Sequence, residues 1–232
     1  MGAWKFGICL PSRSGSYSPR SLTTPTGVVA VAPDGSWLVA DTDYSTLQIW
    51  DMATRRERVT LTDHAGMIKA VAIAPDGSWL AAAGGKTVQI WDVATGQLRV
   101  TLSGHAGEVE TLAIAPDGSW LATGGNDGTV RIWDVAAGHE RAILTGHTGI
   151  VETVALTPDG KWLASGGSDQ TIRIWDVTTT RRVRALMRID NSINCCTWLE
   201  ANGLVVGGPA GLYLFDFLPG PSRLQLHTDT GR

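Results

Sequence analysis

The sequence of 232 residues is short of several things, and each shortage narrows what the chain can be. It has three cysteines, Cys9, Cys195 and Cys196, an odd number in which two are adjacent and poorly placed for an ordinary disulfide. That excludes a disulfide-stapled framework and fits a reduced, cytoplasmic chain. No run approaches the roughly 18 apolar residues of a spanning helix, so a membrane is not an expected partner. The first ten residues carry Lys5 inside their one apolar stretch and then meet Pro11, unlike the unbroken core of a secretory signal. A cationic surplus is missing too: 19 basic against 22 acidic side chains leave a net charge of -3. Nucleic acid is therefore not expected as a partner. Phenylalanine and tyrosine are scarce, three of each, yet tryptophan occurs ten times.

A chain that repeats one rare residue invites a search for a repeated unit. Ala32-Pro-Asp-Gly-Ser-Trp37 returns at 74 to 79 and 115 to 120, and with two changes as Thr157-Pro-Asp-Gly-Lys-Trp162. Ile-Trp-Asp occurs at 49 to 51, 90 to 92, 132 to 134 and 174 to 176, spaced 41, 42 and 42 residues. A histidine, His64, His105 or His147, keeps the same beat. Two slots per repeat account for eight tryptophans; Trp198 belongs to a worn fifth copy, and Trp4 stands outside the pattern. That fifth copy runs from Ile193-Asn-Cys-Cys-Thr-Trp198 through Gly203–Gly208, has Tyr213-Leu-Phe-Asp216 in place of Ile-Trp-Asp, and closes with Arg223-Leu-Gln-Leu226.

Each unit reads as four strands. In the fourth, Val151–Leu156 is rich in β-branched residues and stops at Pro158-Asp-Gly160, whose glycine supplies the positive φ of a tight hairpin. Trp162-Leu-Ala-Ser-Gly follows, then a turn at Ser168-Asp-Gln, then the alternating Thr171–Asp176, and Arg182–Leu186 closes the set. Four strands in about 42 residues, without helical periodicity, match one blade of a propeller. The expected organisation is a leader over 1–21, units near 22–61, 62–102, 103–144, 145–186 and 187–226, and a tail over 227–232.

The coupled signatures, a histidine usually after glycine, Pro-Asp-Gly and Ile-Trp-Asp, resemble the WD-repeat family of β-propellers over about residues 22 to 226. The resemblance implies an all-β propeller of about five four-stranded blades, the fifth degenerate. It also implies a non-catalytic role in binding protein or peptide partners, with no cofactor and no metal. In that family the histidine, a hydroxyl on the second strand, a turn aspartate and the tryptophan form a buried tetrad. By position these are His105, Thr123, Asp127 and Trp133 in the third unit, and His147, Ser165, Asp169 and Trp175 in the fourth. The second unit has Ala82 for the hydroxyl and a turn one residue short, with Lys86 near the aspartate's place. The first has Leu22 near the histidine position and Tyr44 in the turn. The fifth unit is also similar to the last repeat of bacterial STAND-class signalling ATPases, which join an NB-ARC or NACHT core to a WD-repeat sensor.

Other strings do not add up to chemistry. Gly84-Gly-Lys-Thr87 ends like a phosphate-binding loop, but Leu80 stands where that loop needs glycine, and strands flank it. The three repeated histidines, each on its own blade, do not converge on a metal; His139 and His227 read as surface residues. Cys195 and Cys196, neighbours on a strand, point to opposite faces, one expected in the core and one against the next blade. The aspartates of Ile-Trp-Asp, repeated at strand ends, read as turn residues, and no nucleophile or acid–base set has credible spacing. An enzyme is not expected.

Recognition is expected at the start of each inner strand. The position six before each Pro is Lys69, Glu110 and Glu152 in units two to four, with Asn194 as the fifth unit's equivalent. Together with Glu108 these make a locally acidic rim suited to a basic or amine-bearing peptide. WD-repeat propellers most often close with about seven blades, although the wider class runs from roughly four to eight. Five units leave three outcomes: a five-blade ring, an arc completed by further blades, or an arc completed by another chain, the last two exposing apolar flanks that favour self-association.

Overall fold

The computed structural model describes residues 27–178, 183–199, 202–217 and 224–226. The expected leader and tail, with Trp4, Cys9, Leu22 and His227, lie outside them. The described residues form 20 strands and no helix, arranged as five four-stranded antiparallel sheets, each built from strands consecutive in the chain. Among the described residues no helix is long and apolar enough to cross a membrane. The chain divides into two compact units, Met1–Ser103 and Gly104–Arg232.

The first unit holds two sheets. One comprises β1 (Val29–Val31), β2 (Trp37–Asp43), β3 (Thr46–Asp51) and β4 (Arg56–Leu61). The other comprises β5 (Ile68–Ile73), β6 (Trp79–Gly84), β7 (Thr87–Asp92) and β8 (Leu98–Ser103). Their core is a single layer: Trp37, Val39, Leu47 and Ile49 of the first sheet meet Ile68, Leu80, Trp91 and Val93 of the second.

The second unit holds three sheets. The third comprises β9 (Val109–Ile114), β10 (Trp120–Gly125), β11 (Val130–Asp134) and β12 (His139–Leu144). The fourth comprises β13 (Val151–Leu156), β14 (Trp162–Gly167), β15 (Thr171–Asp176) and β16 (Val183–Arg188). The fifth comprises β17 (Cys195–Leu199), β18 (Gly203–Gly208), β19 (Gly211–Phe217) and β20 (Leu224–Leu226). Their first strands lie side by side, β9 along β13 and β13 along β17. Apolar layers fill both junctions, Trp120, Val130 and Ile132 against Leu163 and Trp175, then Ile172 and Ile174 against Trp198, Leu204 and Phe215.

Local chemistry explains the hairpins. In each of the first four sheets the Pro-Asp-Gly turn ends on a glycine with φ of 68 to 72°, the left-handed region that other residues resist. The preceding aspartate fastens the turn: Asp34, Asp76 and Asp117 accept the amides of Ser36, Ser78 and Ser119 at 3.0 Å, and Asp159 accepts that of Lys161 at 3.1 Å. These amide and hydroxyl donors hold the aspartates below the usual carboxylate range. The aspartate of Ile-Trp-Asp does the same for the next turn, Asp51, Asp92 and Asp134 accepting the amides of Thr54, Thr95 and Ala137 at 2.7 to 2.8 Å. Gly85 and Lys86, inside the string that resembles a phosphate loop, are the two-residue tip of the β6–β7 hairpin, where Gly84 pairs with Thr87.

Candidate functional site

In the second to fifth sheets the first strand starts against a glycine that ends the second strand, Gly84, Gly125, Gly167 or Gly208, preceded by another glycine in the last three. A side chain on Gly84, Gly167 or Gly208 would lie 2.0, 2.1 or 2.3 Å from the carbonyl oxygen of Met67, Ile150 or Ser192. On Gly125 it would lie 2.9 Å from the Glu108 carbonyl. Only glycine lets the two backbones meet so closely.

At this contact the ladder slips in three sheets. Ile68 pairs with Gly84 and Ala70 with Ala83, skipping Lys69; Val109 pairs with Gly125 and Thr111 with Gly124, skipping Glu110; Val151 pairs with Gly167 and Thr153 with Gly166, skipping Glu152. Each of these charged residues is thus the extra residue of a β-bulge, a device that re-aims a side chain at the end of a strand. All three are half-buried, and Glu108, just before β9, is exposed. Asn194, exposed, precedes β17 and donates its amide to the Gly207 carbonyl at 2.9 Å. Within the second unit, therefore, Glu110 and Glu152 occupy the same bulge position on neighbouring strands, with Glu108 beside them. Lys69 belongs to the first unit.

Below the bulges lie the histidines. His105 Nδ1 donates to Asp127 at 3.0 Å, its Nε2 accepts from the Thr123 hydroxyl at 2.7 Å, and Trp133 Nε1 donates to the same hydroxyl at 2.8 Å. In the fourth sheet His147 meets Asp169 at 2.9 Å and Ser165 at 2.8 Å, and Trp175 donates to Ser165 at 2.8 Å. Each chain of donors closes with a neutral imidazole protonated on Nδ1. Burial pushes both histidines down, and the adjacent aspartate does not make up the loss. Burial pushes Asp127 up, but the Thr129 hydroxyl and amide, the Ala106 amide and the neighbouring His105 prevail and hold it at about 2. Asp169 is lowered against its burial by the Thr148 amide, the Thr171 hydroxyl and amide, and His147.

The second sheet solves the same problem differently. His64 Nδ1 faces the Gly66 carbonyl at 2.9 Å and Nε2 that of Ala82 at 3.2 Å. With no turn aspartate, buried Gln89 reaches over from β7 and accepts the Ala65 amide at 2.9 Å, as Asp127 accepts that of Ala106. Gln89 is the functional substitute that sequence reasoning missed. Its signal was a glutamine two residues before Trp91, where the third and fourth units have Arg131 and Arg173. The Thr87 hydroxyl, whose counterparts Thr129 and Thr171 donate to the aspartates at 2.7 and 2.8 Å, is buried without a partner.

Trp50 is 36% exposed, against 2 to 3% for Trp91, Trp133 and Trp175. One expectation needs correction. Cys195, expected against a following blade or in the core, is exposed, while Cys196 packs toward the fourth sheet. Burial pushes the Cys196 thiol up to about 12, a direction that keeps it unreactive.

Among the described residues no group of three or more histidine, cysteine or acidic side chains is placed to hold a metal ion. A shallow cleft at the junction of the third and fourth sheets is lined by Trp120, Ile132, Arg141, Gly160, Val177 and Thr178, a set without an acid–base pair. The family model described as WD domain, G-beta repeat, matches residues 55–92, 96–134 and 138–176. No curated protein matches the chain.

Proposed function

The chain belongs to the WD-repeat family, whose propeller domains serve as protein-interaction scaffolds, and we propose that it is a non-catalytic interaction or sensor module that takes its partner at the bulged starts of its inner strands. The observation that carries this reading is the coincidence of a charged residue with the bulge. Lys69, Glu110 and Glu152 are the one charged residue at each of these strand starts, and each is the residue left out of the ladder.

The chemistry of the second unit selects the partner. Glu108, Glu110 and Glu152 offer carboxylates at adjacent inner strands, a field that favours a peptide carrying lysine, arginine or a free amine. A duplex or an anionic membrane, both negative, is disfavoured by the same groups and by the net charge of -3. The likeness of the fifth unit to the last repeat of STAND-class ATPases supports a sensor role in a cytoplasmic bacterial signalling protein. Translating the DNA upstream tests that part: an in-frame nucleotide-binding core supports it, and an unrelated separate gene favours a stand-alone scaffold.

The rim is tested by fluorescence anisotropy on the full chain with a labelled panel of lysine- and arginine-rich peptides and an acidic panel of equal length. Basic members are expected to bind, more weakly as salt rises. Binding is expected to fall about tenfold or more in the double variant Glu110→Lys, Glu152→Lys at an unchanged unfolding midpoint. Equal binding by wild type and variant removes the rim from the function.

A further inference from the structure

Every sheet has two sides, and the apolar residues alternate between them. On the side turned to the following sheet, the third strand presents two aliphatic residues: Leu47 and Ile49 in the first sheet, Val130 and Ile132 in the third, Ile172 and Ile174 in the fourth. All six are at most 1% exposed. The register identifies their equivalents in the fifth sheet, since Leu204 pairs with Phe215 as Leu163 pairs with Trp175. They are Leu212 and Leu214, and they are 77% and 43% exposed.

The side turned to the preceding sheet carries an aromatic residue and its neighbour two places on. Trp91 and Val93 in the second sheet are 3% and 5% exposed, and Phe215 and Phe217 in the fifth are 0% and 5%. In the first sheet the same two positions are Trp50 and Met52, at 36% and 48%, with Val29 and Val31 of β1 at 37% and 58%. The chain therefore displays both halves of an interface that it already makes once within its first unit and twice within its second. Neither half is a scattered surface residue: each is a contiguous patch whose repeats elsewhere in the chain are core.

We infer that the fifth sheet receives the first sheet of a second copy of this chain, seated as the fifth sheet is seated on the fourth. The occupant is identified by the repeat itself, because the surface that fills this kind of face is the opposite side of a WD-type sheet, and the first sheet offers one uncovered. The contact is head-to-tail and unites two different surfaces, so it is heterologous. It uses no rim residue, so it stands or falls apart from the peptide reading.

The fourth–fifth junction supplies the probe. There Thr153 accepts the Cys196 amide at 3.1 Å, and its hydroxyl oxygen lies 3.5 Å from the Cys196 sulfur. In register, Cys195 stands where Thr153 does and Val29 where Cys196 does. The full chain carrying Val29→Cys in a Cys9→Ser background is oxidised mildly, run on a non-reducing gel and mapped by mass spectrometry. A covalent dimer joined between positions 29 and 195, lost when Cys195→Ser is added, is expected. Light scattering of the unmodified chain is expected to give a mass that rises with concentration above the 24.6 kDa of one copy, and Leu212→Glu with Leu214→Glu, at sites already on the surface, returns it to one copy. A mass of 24.6 kDa at every concentration, or a 29–195 link that migrates as a single chain, overturns the proposal.

Discussion

A buried hydroxyl is valuable only while it has somewhere to donate, and two threonines at the same place in neighbouring repeats show the difference. Thr129 gives its proton to Asp127, whereas Thr87 faces a turn without a carboxylate and is left buried and unpaired. An unmade bond of this kind costs about 1–3 kcal/mol, while replacing the group by an isosteric apolar one is nearly free or favourable. Thr87→Val is therefore expected to leave the urea midpoint unchanged or raise it, by up to about 1 kcal/mol of stability, and Thr129→Val to lower stability by about 1–3 kcal/mol. Equal losses in the two variants would show that Thr87 is satisfied in solution. The sequence reveals the missing aspartate but not this consequence, since Gln89 takes over only the amide of Ala65 and leaves the threonine aside.

Strands and turns are the elements in which the sequence is most legible. Pro-Asp-Gly fixes a hairpin through one left-handed glycine and one carboxylate, both local effects, so the first hairpin of the first four repeats can be read from six residues. The bulges cannot. Nothing in Val-Glu-Thr marks Glu110 or Glu152 as an extra residue; the slip arises where the inner strand meets the glycine pair about fifteen residues downstream, a pairing the local pattern does not encode. Gly167→Ala tests that origin. Its Cβ would meet the Ile150 carbonyl oxygen, a backbone atom that cannot swing aside, at 2.1 Å. A loss of about 1–3 kcal/mol is expected, together with faster hydrogen exchange at the Ser168 amide, which donates to that carbonyl at 3.0 Å. Unchanged stability and exchange would mean that the strand start adapts and that the glycine does not set the bulge. Exposure of the end sheets at Trp50 and Leu212 was legible only as a consequence of two of three outcomes, because burial of a sheet face depends on which sheet packs on it and not on the residues of the face.

For the molecule as a whole, the buried histidine–aspartate pairs make acid the natural denaturant. His105 and His147 are held below their ordinary value of 6.5 by burial, so between the folded and unfolded pKa values the unfolded chain binds more protons. Stability is complete above about pH 6.5 and falls as the pH drops through that window. Asp127, at about 2 when folded against 3.8 otherwise, and Asp169, also lowered, withdraw a second contribution as the pH falls from 3.8. Urea midpoints taken at pH 7.5, about 5.5 and about 4 are expected to decline in that order, and the double variant His105→Gln, His147→Gln is expected to flatten the first part of the decline. A midpoint that stays level between the first two conditions would place the histidines outside the pH response. The order of strands has a kinetic counterpart. Since every sheet is woven from four strands consecutive in the chain, no ladder pairing has to wait for a distant segment. Loop closure, which slows most β-rich proteins, is reduced here to a series of short hairpins. During synthesis a sheet can complete its own ladder once roughly 40 residues of its repeat have emerged, then serve as the template on which the next one is laid.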